Sequence, residues 1–221
     1  MAMYNSLGTM FEQTVDKYPN KEAVYDVRKN IRWTYAEWDR QVNRLANALK
    51  GVGVQKGDRV STYLYNTEEL ITCLFACAKI GAIFNPINFR LMSEEVAFIL
   101  SDAEPKVVLF EQAVADQVAK IAGRFPDVQF WCIDGETPPY ARDYARQVEA
   151  ASDERPPIDV AETDLYSIMY TSGTTGRPKG VMHRHRDMIE QSMICISALK
   201  ITPNSRGLAV GPMFHAAELH C

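Results

Sequence analysis

Long apolar runs, paired cysteines and basic clusters are all scarce in this sequence, and each scarcity removes a class of function. No stretch reaches the roughly 18 apolar residues that a membrane-spanning helix needs. Residues 1–9 lack the charged start and apolar run of a secretory signal, so a cytoplasmic protein is expected. The five cysteines (Cys73, Cys77, Cys132, Cys195, Cys221) are odd in number and include no Cys-x-x-Cys pair. Most sit inside apolar segments, which reads as buried reduced thiols rather than a disulfide framework or a zinc site. Lys and Arg number 24 against 28 Asp and Glu, a net charge of −4. The densest basic cluster, His183-Arg184-His185-Arg186, is too short to track a phosphate backbone, and no nucleic-acid partner is expected. Its histidines read as polar flanking residues, not as a metal pair. There is no internal repeat and no low-complexity tract.

What is present is an ordinary globular composition, 47% hydrophobic and 24% charged, in 221 residues. Helix and strand patterns alternate. Thr34 and Glu37 form a capping box ahead of Tyr35, Trp38, Val42, Leu45 and Leu49, spaced by three and four residues up to Gly51. A strand is expected over 59–65, a helix over 67–80 closed by Gly81, and a strand over 82–84. Ser93 with Glu94 and Glu95 opens a further helix, followed by a strand over 106–110, a helix over 113–124 and a strand over 128–133. Residues 134–164 carry Pro138-Pro139, Pro156-Pro157 and many acids. They read as a surface connection with a short helix over 140–148. A strand over 165–170 and a helix over 186–199 complete the pattern. Such alternation implies an α/β protein with mainly parallel sheets flanked by helices.

Between those last two elements runs Tyr-Thr-Ser-Gly-Thr-Thr-Gly-Arg-Pro-Lys-Gly-Val, residues 170–181. Four hydroxyls (Thr171, Ser172, Thr174, Thr175), three glycines (Gly173, Gly176, Gly180) and Lys179 fall within ten positions. Glycines let the backbone approach an anion and aim N–H groups at it, hydroxyls add donors, and lysine adds a compact positive charge. A polyphosphate suits this set. Neither standard nucleotide motif fits. A Walker A loop needs Gly-Lys-Ser/Thr, but Lys179 follows Pro178 and precedes Gly180, and no glycine pairs with Gly173 and Gly176 to make a dinucleotide fingerprint.

The unbroken match from Tyr170 to Val181 resembles the signature loop of the AMP-forming adenylating superfamily, which holds acyl-CoA synthetases, luciferases and peptide-synthetase adenylation domains. Two further stretches extend the resemblance. Ala78-Lys79-Ile80-Gly81-Ala82-Ile83-Phe84-Asn85-Pro86-Ile87-Asn88 is similar to a structural core motif in the Asn-Pro form of acyl-CoA synthetases, and also reads as a helix end leading into a buried strand. Pro212-Met213-Phe214-His215, about 35 residues beyond the loop, is similar to their Pro-x-Phe-His motif beside the acyl pocket. The family often has glycine three residues after this histidine, where Glu218 stands here, so pocket shape does not carry over.

The resemblance implies a two-step ligase. A carboxylic acid and ATP give an acyl-adenylate and pyrophosphate, and the thiol of coenzyme A then displaces AMP. It makes Lys179 and His215 the catalytic candidates, and Thr171, Ser172, Gly173, Thr174, Thr175, Gly176 and Lys179 the ATP phosphate-binding set. Phe214 and His215 would face the acyl substrate, and Thr171 would lie beside magnesium (Mg2+). A fatty acid is the favoured substrate. An adenylation domain loading a carrier protein and a non-catalytic nucleotide-binding module remain alternatives. The family continues through an aromatic-Gly-x-Thr-Glu segment, a Thr-Gly-Asp segment, a hinge and a C-terminal domain with a catalytic lysine. None of these occurs here, so the expectation is an incomplete N-terminal AMP-forming domain without its C-terminal lid, inactive alone. It would comprise a first α/β lobe (1–133), a connecting segment (134–164) and a phosphate-loop and acyl-pocket segment (165–221). Homodimerisation or other self-association through exposed core surface is expected as well.

Overall fold

Capping chemistry and period-matched apolar residues build the elements, and sheet pairing then orders them. The computed structural model describes residues 5–171 and 177–219. Helix α1 (Leu7–Lys17) is capped by Ser6 and leads to an antiparallel hairpin of β1 (Glu22–Asp26) and β2 (Ile31–Thr34). Helix α2 (Tyr35–Gly51) starts at the expected capping box. The Glu37 N–H donates to Thr34 Oγ1 at 3.3 Å and the Thr34 N–H to Glu37 Oε2 at 2.8 Å. Strand β3 (Arg59–Tyr63) precedes α3 (Glu68–Ile80), which is capped by Thr67 and stopped by Gly81 at φ 72°, a left-handed turn that suits glycine. A Cβ there would also come within 2.9 Å of Lys56 Cγ.

Next come β4 (Ile83–Pro86), α4 (Ser93–Ala103), β5 (Pro105–Phe110), α5 (Ala115–Ala119), β6 (Gln129–Cys132), β7 (Ala141–Asp143) and α6 (Tyr144–Glu149). Then follow β8 (Leu165–Thr171), β9 (Lys179–Arg184), α7 (His185–Ala198) and α8 (Ala216–Leu219). Among the described residues, seven strands form one sheet in the order β7-β6-β5-β3-β4-β8-β9. All neighbours are parallel except β9, which pairs antiparallel with β8 at the edge. Helices α1, α2, α3 and α6 share one apolar cluster with one face of the sheet, and α4 and α5 share another with the opposite face. Along β5, Val107 and Leu109 point into the first cluster and Val108 and Phe110 into the second, which explains an unbroken apolar run. The α/β architecture with a mostly parallel, doubly covered sheet is therefore as expected.

Several local expectations are corrected. The single helix over 113–124 is instead a 3-10 turn Gln112–Val114, the short α5 and a second 3-10 turn Ala122–Arg124. Val114, Val118 and Ile121 are buried at helical spacing, which is why the sequence reads as one helix, while Gly123 and Pro126 disfavour its continuation. The connection 134–164 contributes an edge strand, β7, parallel to β6. The four described cysteines are buried thiols outside any disulfide, and Cys221 lies outside the described residues. Among the described residues no helix is long and apolar enough to cross a membrane.

Candidate functional site

Strand β3 is the switch point of the sheet. Its chain neighbour β4 lies on one side and β5 on the other, and the connections to them run over opposite faces, which opens a crevice beyond the carboxyl ends of these strands. Because β8 runs parallel to β4, its carboxyl end, Thr171, lies at that same edge. The register of the β8–β9 hairpin sets Thr171 directly opposite Lys179. Residues so paired project on one face of the ladder, so hydroxyl and ammonium stand side by side at the hairpin mouth, both exposed. One step back, Gly180 faces Tyr170; a Cβ on Gly180 would lie 2.8 Å from Ile168 Cγ2 and 3.3 Å from Tyr170 Cζ. The glycine lets the tyrosine ring lie across the partner strand. Ser172, Gly173, Thr174, Thr175 and Gly176, the remaining phosphate-binding candidates, lie outside the described residues.

Helix α4 holds both ends of this loop. The Tyr170 hydroxyl donates to Asp102 Oδ2 at 2.5 Å, and the Arg177 guanidinium lies over the Phe98 ring, 5.6 Å from its centroid. Partial burial, reinforced by the adjacent carboxylate, pushes the Tyr170 phenol well above its ordinary pKa and keeps it a donor.

Phe214 and His215 reach the edge by another route. Met213 and Phe214 are buried and His215 is exposed. The Phe214 ring meets Phe89 edge-on at 5.3 Å and lies 4.5 Å from the His215 ring, while Phe89 stacks on Tyr65 at 4.0 Å. Tyr65 and Phe89 lie just past the carboxyl ends of β3 and β4. These aromatics, and Asn66 between Tyr65 and α3, escape motif reading. The switch-point rule applied to the ends of β3 and β4 is the signal that could have found them. Asn85, of the Asn-Pro pair, is fully buried in β4 and donates to Ser61 Oγ of β3 at 3.0 Å, a structural role.

His185 departs from expectation. Read as a polar flank, it is instead completely buried at the start of α7, where its Nδ1 accepts the Leu7 N–H of α1 at 3.2 Å. Burial, opposed by the nearby Asp164 and assisted by Lys56, pushes its pKa down to about 4, so the ring is neutral at pH 7. His183 lies on β9 and His185 on α7.

A second polar cluster sits under the β1–β2 hairpin. Lys29 bonds Glu68 Oε1 at 2.9 Å and contacts Glu69, and Arg28 reaches Glu111 at 3.3 Å. Burial, reinforced by repulsion from Glu69, pushes the Glu68 carboxyl up to about 8. Among the described residues no group of three or more His, Cys, Asp or Glu side chains is placed to hold a metal. The described groups at the hairpin mouth, a hydroxyl and an ammonium, thus fit phosphate oxygens rather than a metal cage.

A family model described as AMP-binding enzyme matches residues 11–221. The long-chain-fatty-acid–CoA ligase FadD13 of Mycobacterium tuberculosis is 34% identical over 217 residues, covering 97% of this chain and 42% of the ligase. A feruloyl-CoA synthase from Amycolatopsis is 37% identical over 187 residues, covering 84% of this chain and 35% of the synthase. The crystal structure of ATP-bound MatB from Rhodopseudomonas palustris superposes with a TM-score of 0.85 at 28% identity, covering 98% of this chain and 42% of that one. The chain thus spans less than half the length of these known relatives.

Proposed function

The chain belongs to the AMP-binding enzyme family, and from that premise we propose that its full-length protein is an acid–thiol ligase. It would convert a carboxylic acid, ATP and coenzyme A into an acyl-CoA, AMP and pyrophosphate. A carboxylate oxygen of the acid bonds to the α-phosphorus while the bond from that phosphorus to the bridging oxygen breaks, releasing pyrophosphate. The thiol of coenzyme A, losing its proton, then bonds to the acyl carbon as AMP leaves. A fatty acid is the favoured substrate, in keeping with the ligase relative.

The pairing of Thr171 with Lys179 at the mouth of the hairpin carries this reading. It sets a hydroxyl and a cation side by side where the sheet opens its ligand crevice. In the proposal Lys179 and Thr171, with the donors of residues 172–176, bind the β- and γ-phosphates and stabilise the charge that builds on the leaving pyrophosphate. Magnesium would share that charge, with Thr171 nearest to it. Phe214 would wall the acyl chain, and His215 would donate to a carboxylate oxygen of the acid.

Acid-dependent exchange of labelled pyrophosphate into ATP by the full-length protein, run across a panel of fatty and aromatic acids, tests the reading. No exchange with any acid would sink it. Comparing coenzyme A with a holo-carrier protein as acceptor then separates free-thiol ligation from carrier loading. The 221-residue chain alone is expected to give no exchange, because adenine- and ribose-binding groups of the family are absent from its sequence. It is also expected to self-associate through exposed Ile194, Leu199, Leu208 and Val210, which a monomer in sedimentation velocity would refute.

A further inference from the structure

Asn66 joins two segments far apart in sequence. It follows β3 and precedes the Thr67 cap of α3. Its Nδ2 donates to the Gly211 carbonyl at 2.7 Å and its Oδ1 accepts the Met213 N–H at 2.9 Å, across 145 and 147 residues respectively. A carbonyl needs a donor and an N–H needs an acceptor, so the two bonds fix the orientation of the carboxamide. Residues 205–210 carry no helix or strand, and Leu208 and Val210 are 78% and 80% exposed. The Gly211–His215 segment is therefore approached by irregular, solvated chain, and Asn66 supplies the two-point hydrogen bonding that a neighbouring strand would otherwise provide. The side chains are held separately. Phe89 lies between Tyr65 and Phe214, and the Arg90 guanidinium covers Phe89 4.8 Å from its ring centroid.

We propose that Asn66, backed by Phe89, is a positioning residue that fixes Phe214 and His215 at the acid end of the site. It would govern how the carboxylic acid is bound and aligned while leaving the nucleotide end, built on the β8–β9 hairpin and α4, unaffected. The proposal rests on the ligase reading for its acid substrate, but the clamp itself can be observed without turnover. Displacing a substrate-positioning segment by an ångström can cost about a hundredfold in rate.

In the full-length enzyme, Asn66→Ala should lower kcat/KM for the acid about tenfold to a hundredfold and leave KM for ATP within about twofold. Asn66→Asp keeps an acceptor for Met213 but loses the donor to Gly211. Its deficit should shrink as pH falls and a protonated carboxyl regains that donor. Phe89→Leu, which leaves both hydrogen bonds in place, should raise KM for the acid, and it keeps the test decisive if Asn66→Ala fails to fold. Hydrogen exchange of the Met213 amide supplies a readout independent of activity: slow in the wild type, fast in Asn66→Ala. Wild-type acid kinetics in folded Asn66→Ala, equal losses towards acid and ATP, or an unchanged acid KM in Phe89→Leu would overturn the proposal. A wild-type enzyme inactive towards every acid, yet showing the slow Met213 amide, would refute the ligase reading and leave the clamp standing.

Discussion

Lys179 is exposed and has a neighbour of fixed register in Thr171, so its removal should alter chemistry and not folding. Lys179→Ala in the full-length enzyme is expected to lower kcat for adenylation by on the order of ten- to a thousandfold with an unchanged melting temperature. A pyrophosphate-exchange rate equal to wild type would remove it from the mechanism. His185 is the opposite kind of residue, sealed in the interior, and its effect should appear in stability. Its folded pKa, about 4, lies below the ordinary 6.5. Between those values the unfolded chain takes up a proton that the folded one refuses, so stability present above pH 6.5 is lost as pH falls towards 4. The loss should amount to roughly 2–3 kcal/mol. Urea titrations at pH 7 and pH 4.5 on wild type and His185→Leu check this, the variant being expected to lose less over the interval. The sequence showed the chemistry of Lys179 because glycines and hydroxyls crowd around it. It hid His185, since nothing in His183-Arg184-His185-Arg186 marks the side chain that accepts the Leu7 N–H of α1.

Among the elements, α4 has a task beyond covering the sheet. Through Asp102 and Phe98 it holds Tyr170 and Arg177, the residues on either side of the stretch 171–176. Tyr170→Phe deletes one hydrogen bond to a carboxylate, an interaction of about 1.5–3 kcal/mol at most. It should raise KM for ATP several-fold while KM for the acid stays put. A parallel rise in both would indicate general loosening instead. Helices such as α2 and α3 were legible because their caps and stops are local: Thr34 with Glu37, and Thr67 with Gly81, bond within a few residues of themselves. Strand β9 was not, because Lys179–Arg184 shows no clean alternation and is largely exposed. Its strand character exists only through pairing with β8. The same holds for β7, three residues on the rim of the sheet.

At the scale of the whole molecule, a buried cation ties the first three helices together. Lys79, fully buried in α3, bonds Glu12 of α1 at 2.8 Å and both Asp39 and Asn43 of α2 at 2.6 Å. Arg155 from the long connection joins the cluster through Asp39 at 2.9 Å and Asp16 at 2.8 Å. Lys79→Ala would leave buried carboxylates without their cation, and should cost about 3–5 kcal/mol in a urea unfolding curve. A change below 1 kcal/mol would mean that Arg155 and water replace it.

The sequence by itself determined where α2 and α3 start and stop, the alternation that makes a parallel α/β sheet, and the candidate phosphate loop. These depend on contacts between near neighbours and on side-chain chemistry, which spacing records. Only the tertiary structure decided that Thr171 faces Lys179, that α4 holds the loop, that Asn66 clamps Met213 and that His185 is buried. Each of these joins segments whose nearness depends on strand order and register, and the free energy that selects such an arrangement belongs to the packed whole rather than to any local stretch.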